Sequence, residues 1–168
     1  MNPEVSIRPL AVEDAEPMTE VLRDPRLYEY TGGEPPTLEQ LRRQYATQAR
    51  GGSADGTKRW INAIIEVDAR PVGYVQATVP ANEEPTEIAW VVGQPWQGRG
   101  YAKAAAQQLC QQLERDGIAT VVAHIHPHHV ASQRIAEALG LHPTDTVVDG
   151  EVRWIGDLAS RHGREPGV

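Results

Sequence analysis

A chain of 168 residues fits one domain, and 40% apolar content before its 15 glycines are counted is ordinary for a folded protein, which excludes global disorder despite 13 prolines. A net charge of −7 opposes general binding to nucleic acid or to anionic membrane, because both need a positive field. The single cysteine, Cys110, excludes an internal disulfide and a zinc ribbon and suits a reducing compartment. The longest apolar runs, such as residues 88–92, are far short of the roughly 18 a membrane span needs. The first residues carry acids where a signal peptide needs an apolar stretch, so the expectation is a soluble cytoplasmic protein.

In chain order, Val5, Ile7 and Pro9 alternate with polar Ser6 and Arg8, which predicts a strand over 5–10. Met18, Val21 and Leu22 lie at helical spacing and predict a helix over 12–23, stopped by Asp24-Pro25. A turn-rich loop follows at 28–36, carrying Tyr28 and Tyr30. Thr37 then caps a second helix, with Gln40 placed to complete a capping box. Residues 51–58 read as a loop. Strands over 60–67 and 72–79 flank a hairpin turn at Asp68-Ala69-Arg70-Pro71, and a third strand is expected over 87–92.

A helix over 100–115 keeps Ala102, Ala106, Leu109 and Leu113 on one apolar face, with Cys110 on that same side as a core residue. A strand over 120–125 and a helix over 131–139 come next, with Gly140 as a stop. A hairpin over 147–155 turns at Asp149-Gly150, and the polar tail after Ser160 is expected to fray. There is no internal repeat. The order β-α-α-β-β-β-α-β-α-β-β predicts one α/β (α+β) domain over 1–168: a mixed, mostly antiparallel sheet with one parallel pair and helices on both faces.

The sharpest local feature is Gln97-Gly98-Arg99-Gly100-Tyr101-Ala102, set between an apolar strand and an amphipathic helix. Two glycines allow a tight turn and close backbone approach. The unpaired amides of a helix's first turn suit a phosphate, and Arg99 and Lys103 add positive charge. The spacing fits neither a Walker A loop nor a dinucleotide fingerprint, and a plain glycine-rich turn is the alternative.

This segment resembles motif A of the GNAT acyltransferase superfamily, Arg/Gln-x-x-Gly-x-Gly/Ala, with Gln97, Gly100 and Ala102 at the specified positions. Residues 128–141 resemble that superfamily's motif B, an Asn-x-x-Ser followed by a helix ending in Leu-Gly-Phe. Ile7-Arg8-Pro9-Leu10, Asp24-Pro25, Gly32-Gly33 and Pro35-Pro36-Thr37 resemble its RimJ/RimL-like branch. The resemblance implies a single-domain GNAT fold and acetyl transfer from acetyl-CoA, as co-substrate, to a primary amine by direct attack in a ternary complex. It implies pyrophosphate on the amides of Gly98, Arg99, Gly100, Tyr101, Ala102 and Lys103, and the pantetheine arm along Trp90, Val91 and Val92 with a strand amide polarising the thioester. The acceptor is a protein N-terminus or a small amine. Homodimers are common in the superfamily, and the terminal hairpin would support one.

Two departures from the pattern stand out. His129 occupies the position of the motif B asparagine, where it can still donate one hydrogen bond to pantetheine, and no tyrosine follows Tyr101 to serve as acid to the leaving thiolate. Ser132, at the branch's serine position, is the candidate for stabilising that thiolate; its alternative is a bond to its own helix backbone. Glu87 is the candidate base for the acceptor ammonium, against a solvated strand-start residue, with His129 and His126 as second choices. Tyr28, Tyr30, Trp60 and Trp90 are candidates to line the acceptor site; packing is the alternative, above all for Trp60 and Trp90. Residues 124–129, with four histidines, invite a metal reading, but no cysteine or nearby acid completes a ligand set, so no metal is expected. The rival from another class is a catalytically idle CoA-binding module.

Overall fold

The computed structural model describes residues 3–159. The expected fraying after Ser160 lies outside the described residues. Seven strands form one sheet in the order β1-β2-β3-β4-β5-β7-β6. They are β1 (Val5–Pro9), β2 (Lys58–Val67), β3 (Arg70–Pro80), β4 (Thr86–Val92), β5 (Thr120–Ile125), β6 (His142–Val148) and β7 (Glu151–Asp157). The helices are α1 (Ala15–Val21), α2 (Leu38–Gln48), α3 (Tyr101–Arg115) and α4 (Val130–Ala138). All strand pairs are antiparallel except β4 with β5, as the element order implied. Among the described residues no helix is long and apolar enough to cross a membrane.

Strand alternation sorts side chains onto two faces. Ile65, Val75, Ala77, Ile88, Val92, Val121, Ala123 and Ile125 point toward α3 and α4, where Ala105, Ala106, Leu109, Cys110 and Leu113 close the larger core. Cys110 is fully buried there, and Ala102 is only partly covered because the buried face of α3 is centred on Ala105–Ala106. Ile64, Tyr74 and Val91 point the other way, against Met18, Val21, Leu22, Leu41 and Tyr45 of α1 and α2. Trp96 packs against both cores from the turn after β4, and the Arg70 guanidinium lies 5.3 Å above its ring.

Three sequence readings need correction at their edges. The first helix begins as a 3-10 turn over Val12–Asp14 and is α-helical only over Ala15–Val21. Asp14 is buried there because its carboxylate accepts from the Ala11 amide at 2.8 Å and from both terminal nitrogens of Arg8, at 2.9 and 2.7 Å. The last hairpin starts five residues earlier than expected, at His142 rather than 147. That stretch is polar, contains Pro143 and pairs on one side only, so it shows no alternation. The turn between β2 and β3 is a two-residue one, because Val67 pairs directly with Arg70. It holds both Asp68 and Ala69 at positive φ, +49° and +66°. The Thr37 capping box forms as expected, with the Gln40 amide donating to Thr37 at 3.2 Å and the Thr37 amide donating to the Gln40 side chain at 2.9 Å.

Candidate active site

β4 and β5 pair only at their first residues, Thr86 with Val121 and Glu87 with Val122. Beyond that they part, while β4 stays bonded to β3 as far as the pair Gly73–Val92. From Ile88 onward the edge of β4 that faces β5 therefore carries strand amides and carbonyls with no partner strand. Gly73 is what lets β3 hold β4 there: a Cβ on it would meet the Val91 carbonyl oxygen at 2.1 Å.

At the open end of this cleft lies the glycine-rich segment. Gly98 and Gly100 sit at φ +77° and +82°, a region L side chains rarely adopt. A Cβ at either would enter open space rather than protein, so both glycines leave the approach to the α3 terminus clear. The first bond of α3 runs from the Ala104 amide to the Gly100 carbonyl at 3.0 Å, so the amides of Tyr101, Ala102 and Lys103 precede the helix's own acceptors. Arg99 and Lys103 are exposed beside them, while Tyr101 is buried. Gln97 has a tethering role: its side-chain amide donates to the Val92 carbonyl at 3.0 Å, which fixes the loop to the end of β4. A backbone anion cradle continuous with an unpaired strand edge suits the pyrophosphate and amide-bearing arm of coenzyme A.

Trp90 points to the α3/α4 face. Its indole Nε1–H donates to Ser132 Oγ at 3.2 Å, and Ser132, in the first turn of α4, is buried. Ser132 Oγ is also 3.4 Å from Nε2 of His129, the residue that precedes α4. Ser132 thus bonds other side chains rather than its own helix backbone. The His129 ring stacks on Tyr30, with centroids 4.7 Å apart and planes at 19°. Burial lowers the His129 pKa, His126 lowers it further, and Glu29 opposes them.

The opposite face of β4 carries Glu87, Ala89 and Val91. Glu87 Oε1 lies 3.3 Å from His124 Nδ1, a partner that residue order alone does not suggest because parallel register across the start of the cleft creates it. Nearby on β7, burial raises the Glu151 carboxyl; His124 lowers it and Glu87 raises it. The Arg153 Nε, on the same strand, is buried without a hydrogen-bond acceptor among the described residues.

Beside β4 on this face, a cavity of about 200 Å³ opens between α2, the loop before it, and Asn62 and Gln76 of β2 and β3. Gln76 is the register partner of Ala89, so the cavity sits one strand from the cleft. Tyr28, Tyr45 and Tyr74 line it together with Gln48, and Glu34 stands in its wall. Tyr28 donates to the Leu22 carbonyl at 2.9 Å, whereas the Tyr45 hydroxyl and Gln48 Oε1 are buried with no partner among the described residues. Burial, reinforced by Tyr28, pushes the Tyr74 phenol up to about 12.

Of the four aromatic acceptor candidates, Tyr28 enters this cavity, Tyr30 reaches the histidines, and Trp90 turns to the opposite face toward Ser132. Trp60 stays two strands from β4, level with Thr78 and Glu87, and does not join them. Sequence reading missed Tyr45, Tyr74, Gln48 and Gln76; the only signal was their polar atoms at positions where helix or strand periodicity calls for burial. A second concavity of about 360 Å³ lies around Arg50, Lys58, Arg59 and Pro80 and contains none of the candidate residues. Among the described residues no three His, Cys, Asp or Glu side chains gather as a metal site requires.

Comparison with known proteins adds family and fold. No curated protein matches the sequence. The fold is similar to AAC(6′)-Ib in complex with paromomycin and acetyl-CoA, at TM-score 0.79 and 20% identity over 98% of this chain and 99% of that one. It is also similar to an acetyltransferase from Thermus thermophilus, at TM-score 0.74 and 21% identity over 91% and 96%. A third likeness is to the PaiA N-acetyltransferase of Thermoplasma acidophilum in complex with coenzyme A, at TM-score 0.70 and 16% identity over 92% and 99%. Residues 4–142, most of the chain, match the acetyltransferase (GNAT) domain, and the chain therefore belongs to the GNAT acetyltransferase family.

Proposed function

We propose that this protein transfers an acetyl group from acetyl-CoA to the primary amine of a small acceptor within a ternary complex. The observation that carries the reading is the cleft between β4 and β5, with the glycine cradle at its open end and polar side chains on its far face. Bound acetyl-CoA supplies an activated acyl thioester. The amides of residues 98–103 hold its pyrophosphate, and the unpaired edge of β4 from Ala89 to Val92 aligns its amide-bearing arm and offers a backbone N–H to the thioester oxygen. Ser132 hydrogen-bonds the departing sulfur. Glu87, held beside His124, takes the proton from the acceptor ammonium directly or through water, since an ammonium has no lone pair with which to attack.

The acceptor approaches from the α1/α2 face. The cavity of about 200 Å³ lined by Tyr28, Tyr45, Tyr74, Gln48 and Glu34 supports a compact amine bearing hydroxyl or further amino groups, which its phenols, amide and carboxylate can meet, over a protein N-terminus. The paromomycin held by the similar AAC(6′)-Ib is of that general chemistry. The residues resembling the RimJ/RimL-like branch lie in β1, the turn after α1 and the loop before α2, which frame this same face.

The test is thermal unfolding with acetyl-CoA, CoA and ATP, followed by thiol release over a panel of a polyamine, an amino acid, an aminoglycoside and a peptide. A native-state ligand at a hundredfold excess over its Kd stabilises by about 2.7 kcal/mol. Stabilisation by both CoA forms but not ATP, followed by thiol release with a small amine, is the expected result. Stabilisation without turnover on any amine would identify an idle CoA-binding module. No stabilisation would overturn the reading.

A further inference from the structure

A serine oxygen accepts two hydrogen bonds and donates one. At Ser132 one acceptor position is taken, because the Trp90 indole can only donate, and it does so at 3.2 Å. The remaining partner is His129 Nε2 at 3.4 Å, which is a donor when it carries a proton and an acceptor when it does not. These two states leave the serine hydroxyl proton in different places. With Nε2 bare, Ser132 donates to His129 and its proton is used up inside the protein. With Nε2–H, both acceptor positions are filled, and the hydroxyl proton must point to a third group.

We propose that His129 is the positioning residue for Ser132: by donating from Nε2 to Ser132 Oγ it turns the serine hydroxyl proton toward the sulfur of the leaving group. The histidine that replaces the superfamily's asparagine thereby serves a chain that has no tyrosine after Tyr101. The Tyr30 ring, stacked on the imidazole from the acceptor-side loop, holds the ring plane that this bond requires. The groups facing His129 are Tyr30 and Glu29 from that loop and His126 from the segment after β5; Ser132 is on its own helix. Burial and His126 together outweigh Glu29, so the imidazolium form is reached only below the ordinary histidine range. At neutral pH the orientation of Ser132 accordingly depends on which nitrogen of the neutral ring holds the proton.

The inference rests on the acetyl-transfer reading for what Ser132 faces, but the coupling itself is a property of the ligand-free protein and can be tested there. The probe is the pair of His129 ring nitrogens of the ¹⁵N-labelled full chain at pH 7.5, assigned by His129→Asn, together with the Trp90 indole N–H, identified among four tryptophans by Trp90→Phe. The neutral His129 ring should carry its proton on Nε2, so that Ser132 Oγ accepts from both neighbours. The Trp90 resonance should shift in His129→Ala and far less in His129→Asn, which keeps a side-chain N–H. A bare Nε2 in the neutral wild-type ring, or a Trp90 resonance unmoved by His129→Ala, would overturn the proposal. In turnover, His129→Ala should lower kcat about tenfold with less than a twofold change in KM for acetyl-CoA, and His129→Asn, which keeps a side-chain N–H, should recover most of it. A raised KM with kcat intact would show that His129 is only a contact for the substrate. A protonated Nε2 without turnover on any amine would refute acetyl transfer and leave the coupling standing.

Discussion

The two faces of β4 are built on different plans. On the α3/α4 side, the cradle is contiguous in sequence, its donors are backbone amides, and the side chains beneath it form an apolar core rich in Ala, Ile, Leu and Val. On the α1/α2 side, the candidate acceptor surface is drawn from α2, the loop before it and neighbouring strands, its donors and acceptors are side chains, and the Tyr45 hydroxyl and Gln48 Oε1 are left without partners among the described residues. A backbone site recognises what is common to every molecule carrying the same phosphate and amide groups. A side-chain site can be respecified one residue at a time, because changing Gln76 or Tyr45 leaves the β4 amides where they are.

The sharpest way to break this contrast is at the cradle. Gly100→Trp should abolish stabilisation by acetyl-CoA, which is about 2.7 kcal/mol at a hundredfold excess in the wild type, while costing the ligand-free fold about 1 kcal/mol for an L residue in the left-handed region. A thermal shift retained in the variant would show that the backbone does not hold the ligand. Gly73→Ala comes next. It drives a methyl into the Val91 carbonyl, should cost about 2–3 kcal/mol in urea unfolding, and should weaken acetyl-CoA binding by moving the end of β4.

Arg8→Met tests the acceptor side's foundation. Removing one partner of a buried pair costs about 3–5 kcal/mol, but the Arg8 side chain is 38% exposed, so about 2 kcal/mol is expected at pH 7. Burial alone would raise the Asp14 carboxyl; the Arg8 bonds and the Ala11 amide outweigh it and hold it below the usual range. A depressed carboxyl contributes stability that is present above its unfolded value of about 3.9 and lost as pH falls through its folded value. The difference between wild type and Arg8→Met should therefore be full at pH 7 and shrink below about pH 4. A constant difference would mean that the pair does not carry it.

Two smaller changes sharpen the comparison. Tyr45→Phe removes a buried hydroxyl that has no partner among the described residues, so the ligand-free protein should be unchanged or up to about 1 kcal/mol more stable, while KM for a hydroxyl-bearing acceptor rises several-fold. A clear loss of stability would show that the hydroxyl is satisfied within the fold. Ala69→Gly relieves a positive φ in the turn between β2 and β3 and should add roughly 0.5–1 kcal/mol without altering binding on either face of β4. Altered acetyl-CoA affinity in that variant would mean the hairpin and the cleft are coupled.

The parts of the fold legible in the sequence were those that a short window encodes. The Thr37 box, the apolar stripe of α3 and the Asp149-Gly150 turn follow from residues close together in the chain, and the parallel pair across α3 from the β-α-β order of those local elements. What escaped was polar and edge-bound: the start of β6, where pairing on one side leaves no alternation to read, and the cluster in which Arg8 of β1 joins Glu66 of β2 to Asp14 of the turn before α1.

The same division runs through the site. The amino-acid sequence by itself determined that the chain carries a glycine cradle after an apolar strand, because positive φ and helix capping depend on the few residues that adopt them. Glu87, Trp90 and Ser132 became candidates through the family resemblance rather than through composition or spacing. Only the tertiary structure decided that Trp90 donates to Ser132, that His129 lies between Ser132 and Tyr30, that Glu87 faces His124, and that Trp60 stands apart. Most of those relations join residues tens of positions apart. They follow from the register of seven strands and from the parting of β4 and β5, which the packing of both cores sets together.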